Sequence, residues 1–164
     1  MRHYFASQSE LLGFALAAMT ADVERRIVAR VEAWRKGPPT LEGLVAVLEE
    51  VAPLDARRRV EFEVWLELVM LARTSPELRP LVLEAHRGVR RVCRQVVMAA
   101  RGDVRTDAEG EKDAVVRRWA DQLHGLLDGL SLHLAIYPGE TSRARVRAAL
   151  RTHLESVAVE QPGP

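Results

Sequence analysis

Cysteine is all but absent. Cys93 stands alone, so no disulfide can form within the chain, and a reducing compartment such as the cytoplasm is the expected setting. Lysine is scarce as well, with Lys36 and Lys112 the only two among 24 basic side chains. Those 24 are set against 23 acidic ones for a net charge of +1, so bulk charge argues neither for nor against a polyanionic partner. No apolar run approaches the ~18 residues that span a bilayer, and Met1 to Phe5 lack a basic stretch leading into an apolar one, so no membrane partner is expected. Missing too are the Gly-x-Ser-x-Gly elbow, the phosphate-binding loop, the dinucleotide fingerprint and paired zinc ligands, which leaves no constellation for catalysis and calls for no cofactor. Alternating apolar and polar residues flanked by hairpin turns are not found, which argues against a sheet.

What is there is helical periodicity along nearly all of the 164 residues, enough for one all-α domain with a real core. Ser7-Gln8-Ser9-Glu10 reads as a capping box opening a first helix, because the serine oxygen and the glutamate can each satisfy a free amide. Its apolar stripe runs through Leu12, Leu16, Met19, Val23, Ile27, Val31 and Trp34. It stops at Gly37-Pro38-Pro39, giving a helix roughly 40 Å long. Thr40 caps a short helix to about Val51, and Asp55 caps another to about Arg73 with a broad apolar face. Ser75-Pro76-Glu77 reads as the start of a fourth, ending at Gly102. Residues 102–110 are polar and read as an exposed loop. A long helix from about Glu111 to Ile136 carries Val115, Trp119, Leu123, Leu126, Leu130 and Leu134, and a last one from about Ser142 to Val159 carries Val146, Ala149, Leu150, Leu154 and Val157. The count is about six helices.

A di-metal site would need a Glu-x-x-His pair on each of two helices, and Asp121-x-x-His124 is a single copy with the wrong acid, so no metal is expected. Cys93 has Arg90, Arg91 and Arg94 near it in sequence, but a helix spreads these around its circumference, which favours an inert thiol. Arg87, Arg91, Arg94 and Arg101 form a stripe at helical spacing, either a patch for an acidic partner or a solvated face paired with nearby acids.

The stretch Arg2-His3-Tyr4-Phe5-Ala6-Ser7-Gln8-Ser9-Glu10-Leu11-Leu12 resembles the junction between recognition helix and linker helix in the TetR family of bacterial transcriptional regulators. The order of helices behind it is similar to the family's, and Leu126 to His133 resembles a segment of members near the choline-responsive type. The resemblance implies an all-α bundle of the regulatory-domain kind, with residues 1–6 a remnant of the helix-turn-helix, 7–36 a linker helix and 37–160 a ligand-binding and dimerisation domain. It implies DNA phosphate contacts for Arg2, Tyr4 and Gln8 in a form carrying the helices that precede this stretch. Gln8 stands where the family favours lysine, and Arg2 where an aromatic is usual. Operator DNA is thus a partner only with those preceding helices present, since base edges are read from the recognition helix. The chain as given is expected to show no sequence-specific DNA binding, and its start is expected to reflect a misplaced start or a truncated gene.

By the same resemblance a small apolar or amphipathic effector binds among the helices, with Phe14, Met19, Phe62, Trp65, Met70, Met98, Trp119 and His124 as pocket candidates. The same residue types fill any helical core. A homodimer is expected through the last two long helices. The candidates there are Leu123, Gly125, Leu126, Gly129, Leu130, His133, Val146, Leu150, Leu154 and Val157, although one chain's own core can use the same stripes. The competing expectation is a stand-alone helical dimer that binds a ligand or protein and no DNA.

Overall fold

The computed structural model describes residues 2–32, 34, 37–137 and 139–159, with side chains from residue 10 onward. Seven helices follow one another among them: α1 Arg2–Glu32, α2 Leu41–Leu48, α3 Ala56–Ala72, α4 Arg79–Ala100, α5 Asp107–Lys112, α6 Ala114–Ile136 and α7 Arg143–Val159. Thr40 and Asp55 cap α2 and α3 as expected, their side chains accepting from the amides of Gly43 and Arg58.

Three boundaries differ from the pattern. Helix α1 is already running at Arg2 and passes through Ser7 to Glu10 without a break. Neither proline nor glycine interrupts the chain there, and a capping sequence starts a helix only where the backbone before it is extended. Helix α4 starts at Arg79, one turn after Ser75-Pro76, because residues 75–78 form a separate turn in which the Ser75 carbonyl accepts from the Arg79 amide at 3.3 Å. Most of the second half of the expected loop is helix α5, opened by a capping box in which Thr106 accepts from the Glu109 amide and Glu109 accepts from the Thr106 amide. Helix α6 then has a cap of its own, Asp113, which accepts from the amides of Val115 and Val116.

Helix α4 is shared between two cores. Its second half (Cys93, Val96, Val97) packs with Leu44 and Leu48 of α2, Leu123 and Leu127 of α6, and Leu150 and Leu154 of α7 in the larger one. Its first half, through Val82, joins Leu16 of α1 and Leu68 and Ala72 of α3 in a smaller one. On α3 the predicted broad face is only partly used: Leu68 and Ala72 are buried, while Val60, Met70 and Leu71 stay exposed. On α6 the buried stripe is Val116, Ala120, Leu123, Leu127 and Leu134, which leaves Leu126 and Leu130 half-buried.

Candidate functional site

Where the two cores meet, a cavity of about 110 Å³ opens between α1, α3, α4 and α6. Its apolar wall includes Leu16, Met19 and Val23 from α1, Phe62 and Trp65 from α3, Val89 from α4 and Leu127 from α6. These residues meet because α1 and α3 each turn one stripe toward the first half of α4, and α6 closes the remaining side.

One end of the cavity is polar. Glu50, Arg58 and Glu61 line it, and all three belong to a network that also holds α1. The Arg26 guanidinium donates to Glu61 at 2.7 and 3.1 Å, to the Glu50 carboxylate at 3.1 Å and to the Glu50 carbonyl at 3.2 Å. Arg30 donates to the other Glu50 oxygen at 2.9 Å, and Arg57 pairs with both Glu61 and Asp22. Glu50 is buried, and these partners satisfy its oxygens there. Ser131 and Asp128 of α6 also line the cavity, the latter 3.6 Å from His124 Nε2. Burial in the α4–α6 seam pulls the His124 imidazole below its usual range; the Asp128 charge opposes that shift, and His86, whose ring centroid is 4.8 Å away, and Arg90 add to it. At neutral pH the Asp128 carboxylate therefore faces a neutral histidine.

Of the eight expected pocket residues, Met19, Phe62 and Trp65 line the cavity. The other five are placed elsewhere. Phe14 is 74% exposed and Met70 58%, because α1 and α3 direct those positions outward. Met98 is buried beneath α5, so close to Gly110 that a methyl group there would overlap its sulfur. Trp119 lies edge-on to His153, with ring centroids 5.3 Å apart, and His124 packs on His86 behind the wall. The polar end gave no signal in the sequence, since Arg26, Glu50 and Glu61 are far apart in the chain and resemble any solvated charges.

The expected dimer candidates lie at different depths. Leu123, Val146, Leu150, Leu154 and Val157 are fully buried within this one chain. Leu126, Gly129 and Leu130 are half-buried, and Gly125 and His133 are exposed. Nothing lies within 4 Å of where a Cβ would sit on Gly125 or Gly129. The side chains of Arg2, Tyr4 and Gln8 fall outside the described residues. The arginine stripe of α4 is broken up: Arg94 is buried against Asp107, and Arg87 lies 3.6 Å from Glu84. Among the described residues no three metal-ligating side chains converge, and no helix is long and apolar enough to cross a membrane.

Comparison with known proteins places these features in a family. A family model described as the carboxy-terminal region of BetI-type transcriptional repressors, one of the TetR carboxy-terminal families, matches residues 40–159. The HTH-type transcriptional regulator PksA of Bacillus subtilis (strain 168) is 29% identical over 160 residues, covering 98% of this chain and 73% of PksA. The crystal structure of a transcriptional regulator from Rhodococcus sp. Rha1 has the same fold, with a TM-score of 0.72 at 22% identity over 98% of this chain and 80% of that one.

Proposed function

Because the chain belongs to the TetR family of transcriptional regulators, with the carboxy-terminal region of the BetI type, we propose that it is the effector-sensing and dimerising part of such a regulator. The observation that carries this reading is the cavity, whose wall includes four residues of α1, the helix that the resemblance assigns to the connection with the DNA-binding head. A ligand seated there touches Leu16, Met19 and Val23 directly, so its binding energy can differ between two positions of α1. That difference is the only thing that lets a ligand shift a conformational equilibrium. A shift of α1 in each subunit of a dimer changes the spacing of two heads relative to operator half-sites.

The ligand class is small and apolar. The aromatic faces of Trp65 and Phe62 and the aliphatic groups of Leu16, Val89 and Leu127 offer contact area, and the charged groups at the polar end already have partners. The test is equilibrium titration of the chain with a neutral apolar fluorophore, N-phenyl-1-naphthylamine. Saturable binding at one site per chain is expected, abolished by Ala85→Trp, which fills the cavity from its α4 wall. Binding that does not saturate, or that survives Ala85→Trp unchanged, would sink the effector reading.

A further inference from the structure

We propose that Arg26 is a latch that holds α1 closed over the cavity, so that ligand binding and release of α1 compete with the same set of ion pairs. This rests on the reading of the cavity as a ligand site. At about 110 Å³ the cavity is smaller than the ~150 Å³ apolar cavity that accepts benzene, and well short of the ~300–1,000 Å³ of ordinary ligand sites. A ligand of metabolite size therefore enters only if a wall moves.

The walls are not equally free to do so. Leu127 of α6 belongs to the larger core and Val89 of α4 packs against it, so moving either disturbs the best-packed part of the molecule. Leu16 of α1 belongs to the smaller core, against which Met19 and Trp65 are only partly buried. Further along α1, Ile27 packs partly buried against the larger core, and polar links join it there. Arg26 joins it to Glu61 on α3 and, through both carboxylate and carbonyl, to Glu50 in the connection after α2. That connection is fixed to the larger core by its neighbours Leu48 and Ala52. The wall that yields is α1, and Arg26, which alone joins it to both Glu61 and Glu50 among the described residues, is its chief polar restraint beside the Arg30–Glu50 and Asp22–Arg57 pairs.

Arg26 does not line the cavity, whereas its two partners do. This separation gives the latch a sign that a simple binding residue would not have. Arg26 stabilises the closed arrangement only, so its removal raises the fraction of chains able to admit a ligand and tightens the apparent affinity. A residue needed only for structure would weaken binding when replaced. Glu50 keeps Arg30 and Arg58, and Glu61 keeps Arg57, so Arg26→Gln leaves no buried carboxylate without a cation.

The experiment titrates the full chain and the variants R26Q, R26K and E61Q with N-phenyl-1-naphthylamine and follows amide hydrogen exchange across residues 20–32. For R26Q we expect affinity to rise at least about tenfold, because three charge-assisted hydrogen bonds to carboxylates and one to a carbonyl are lost from one side of a two-state equilibrium, together with faster exchange in α1. R26K should fall between R26Q and the parent, because an ammonium keeps part of the pairing without the fork. E61Q, which leaves Arg26 itself in place, supplies the same readout if R26Q does not fold. Unchanged or weaker affinity in R26Q and E61Q overturns the proposal. If the parent chain binds no probe, the ligand-site reading fails by itself, and the latch is then judged on exchange alone: unchanged protection of residues 20–32 in R26Q overturns it.

Discussion

Two titratable residues on α6 and α7 make stability depend on pH. Burial lowers the pKa of both His124 and His153, partly offset for His124 by the Asp128 charge and for His153 by a hydrogen bond with the Trp119 backbone. A histidine whose folded pKa is lowered binds its proton more tightly when unfolded. Its contribution to stability is therefore complete above the unfolded value of about 6.5 and is lost as pH falls from there toward the lowered folded value. Thermal unfolding is expected at a lower temperature at pH 5.5 than at pH 7.5, with a smaller difference in His124→Gln; equal midpoints at the two pH values in the parent would refute this. Cys93 shows the opposite response to burial. Desolvation first, and the Asp128 charge second, push its thiol up to about 12, which makes it inert in the folded chain despite the arginines beside it in sequence. The sequence favoured that inert reading because a helix spreads Arg90, Arg91 and Arg94 around its axis, and Arg94 indeed turns to Asp107, at 2.5 and 2.8 Å.

The same Arg94–Asp107 pair fixes helix α5, the element least legible in the sequence. Residues 102–110 carry no apolar periodicity, and periodicity was the main signal everywhere else, so only the capping pair Thr106 and Glu109 marked a helix there. What makes α5 stay is tertiary: the buried Arg94 guanidinium takes both Asp107 oxygens, and Gly110 lets the backbone settle onto Met98. Asp107→Asn leaves a buried cation with only Glu111, at 3.8 Å, to answer it. A loss of about 3 kcal/mol, the low end for breaking a buried pair, is expected in denaturant unfolding. A loss under about 0.5 kcal/mol, typical of an exposed pair, would show that α5 is held by its cap alone. Helices α2 and α3 were legible because their caps Thr40 and Asp55 stood where apolar periodicity began, and α7 because its stripe Val146, Leu150, Leu154 and Val157 is the buried one. The cavity was legible only through Met19, Phe62 and Trp65. Its polar end depends on Arg26, Glu50 and Glu61 meeting across three elements, a long-range arrangement that no local pattern encodes.

At the scale of the whole molecule, the outward face of α6 is left largely uncovered among the described residues. Gly125, Gly129, Leu132 and Ile136 recur at helical spacing; Leu132 and Ile136 are 41% and 50% exposed, and the two glycines have open space where a side chain would be. On α7 the exposed positions Ala148, Thr152 and Ser156 are small as well. Glycine inside a helix costs about 0.5–1 kcal/mol relative to alanine. Two glycines on successive turns, with nothing in their own chain to crowd them, therefore sacrifice helix stability that some other packing must recover. We expect that packing to be the same face of a second copy under two-fold symmetry, formed by the exposed Gly125 and His133 with the half-buried Leu126, Gly129 and Leu130. Substituting both glycines by alanine separates the alternatives by sign. If the chain is a monomer, the added methyl groups meet nothing, and Gly125→Ala with Gly129→Ala raises the unfolding temperature without changing the mass of 18.4 kDa. If two copies pack closely there, the same methyl groups hold the helices apart, and the double variant dissociates at concentrations where the parent is paired. Sedimentation equilibrium at micromolar concentration should thus give twice 18.4 kDa for the parent and a mass moving toward 18.4 kDa for the variant. A parent that sediments as a monomer, or a variant that pairs as tightly as the parent, removes this face of α6 as the dimer contact.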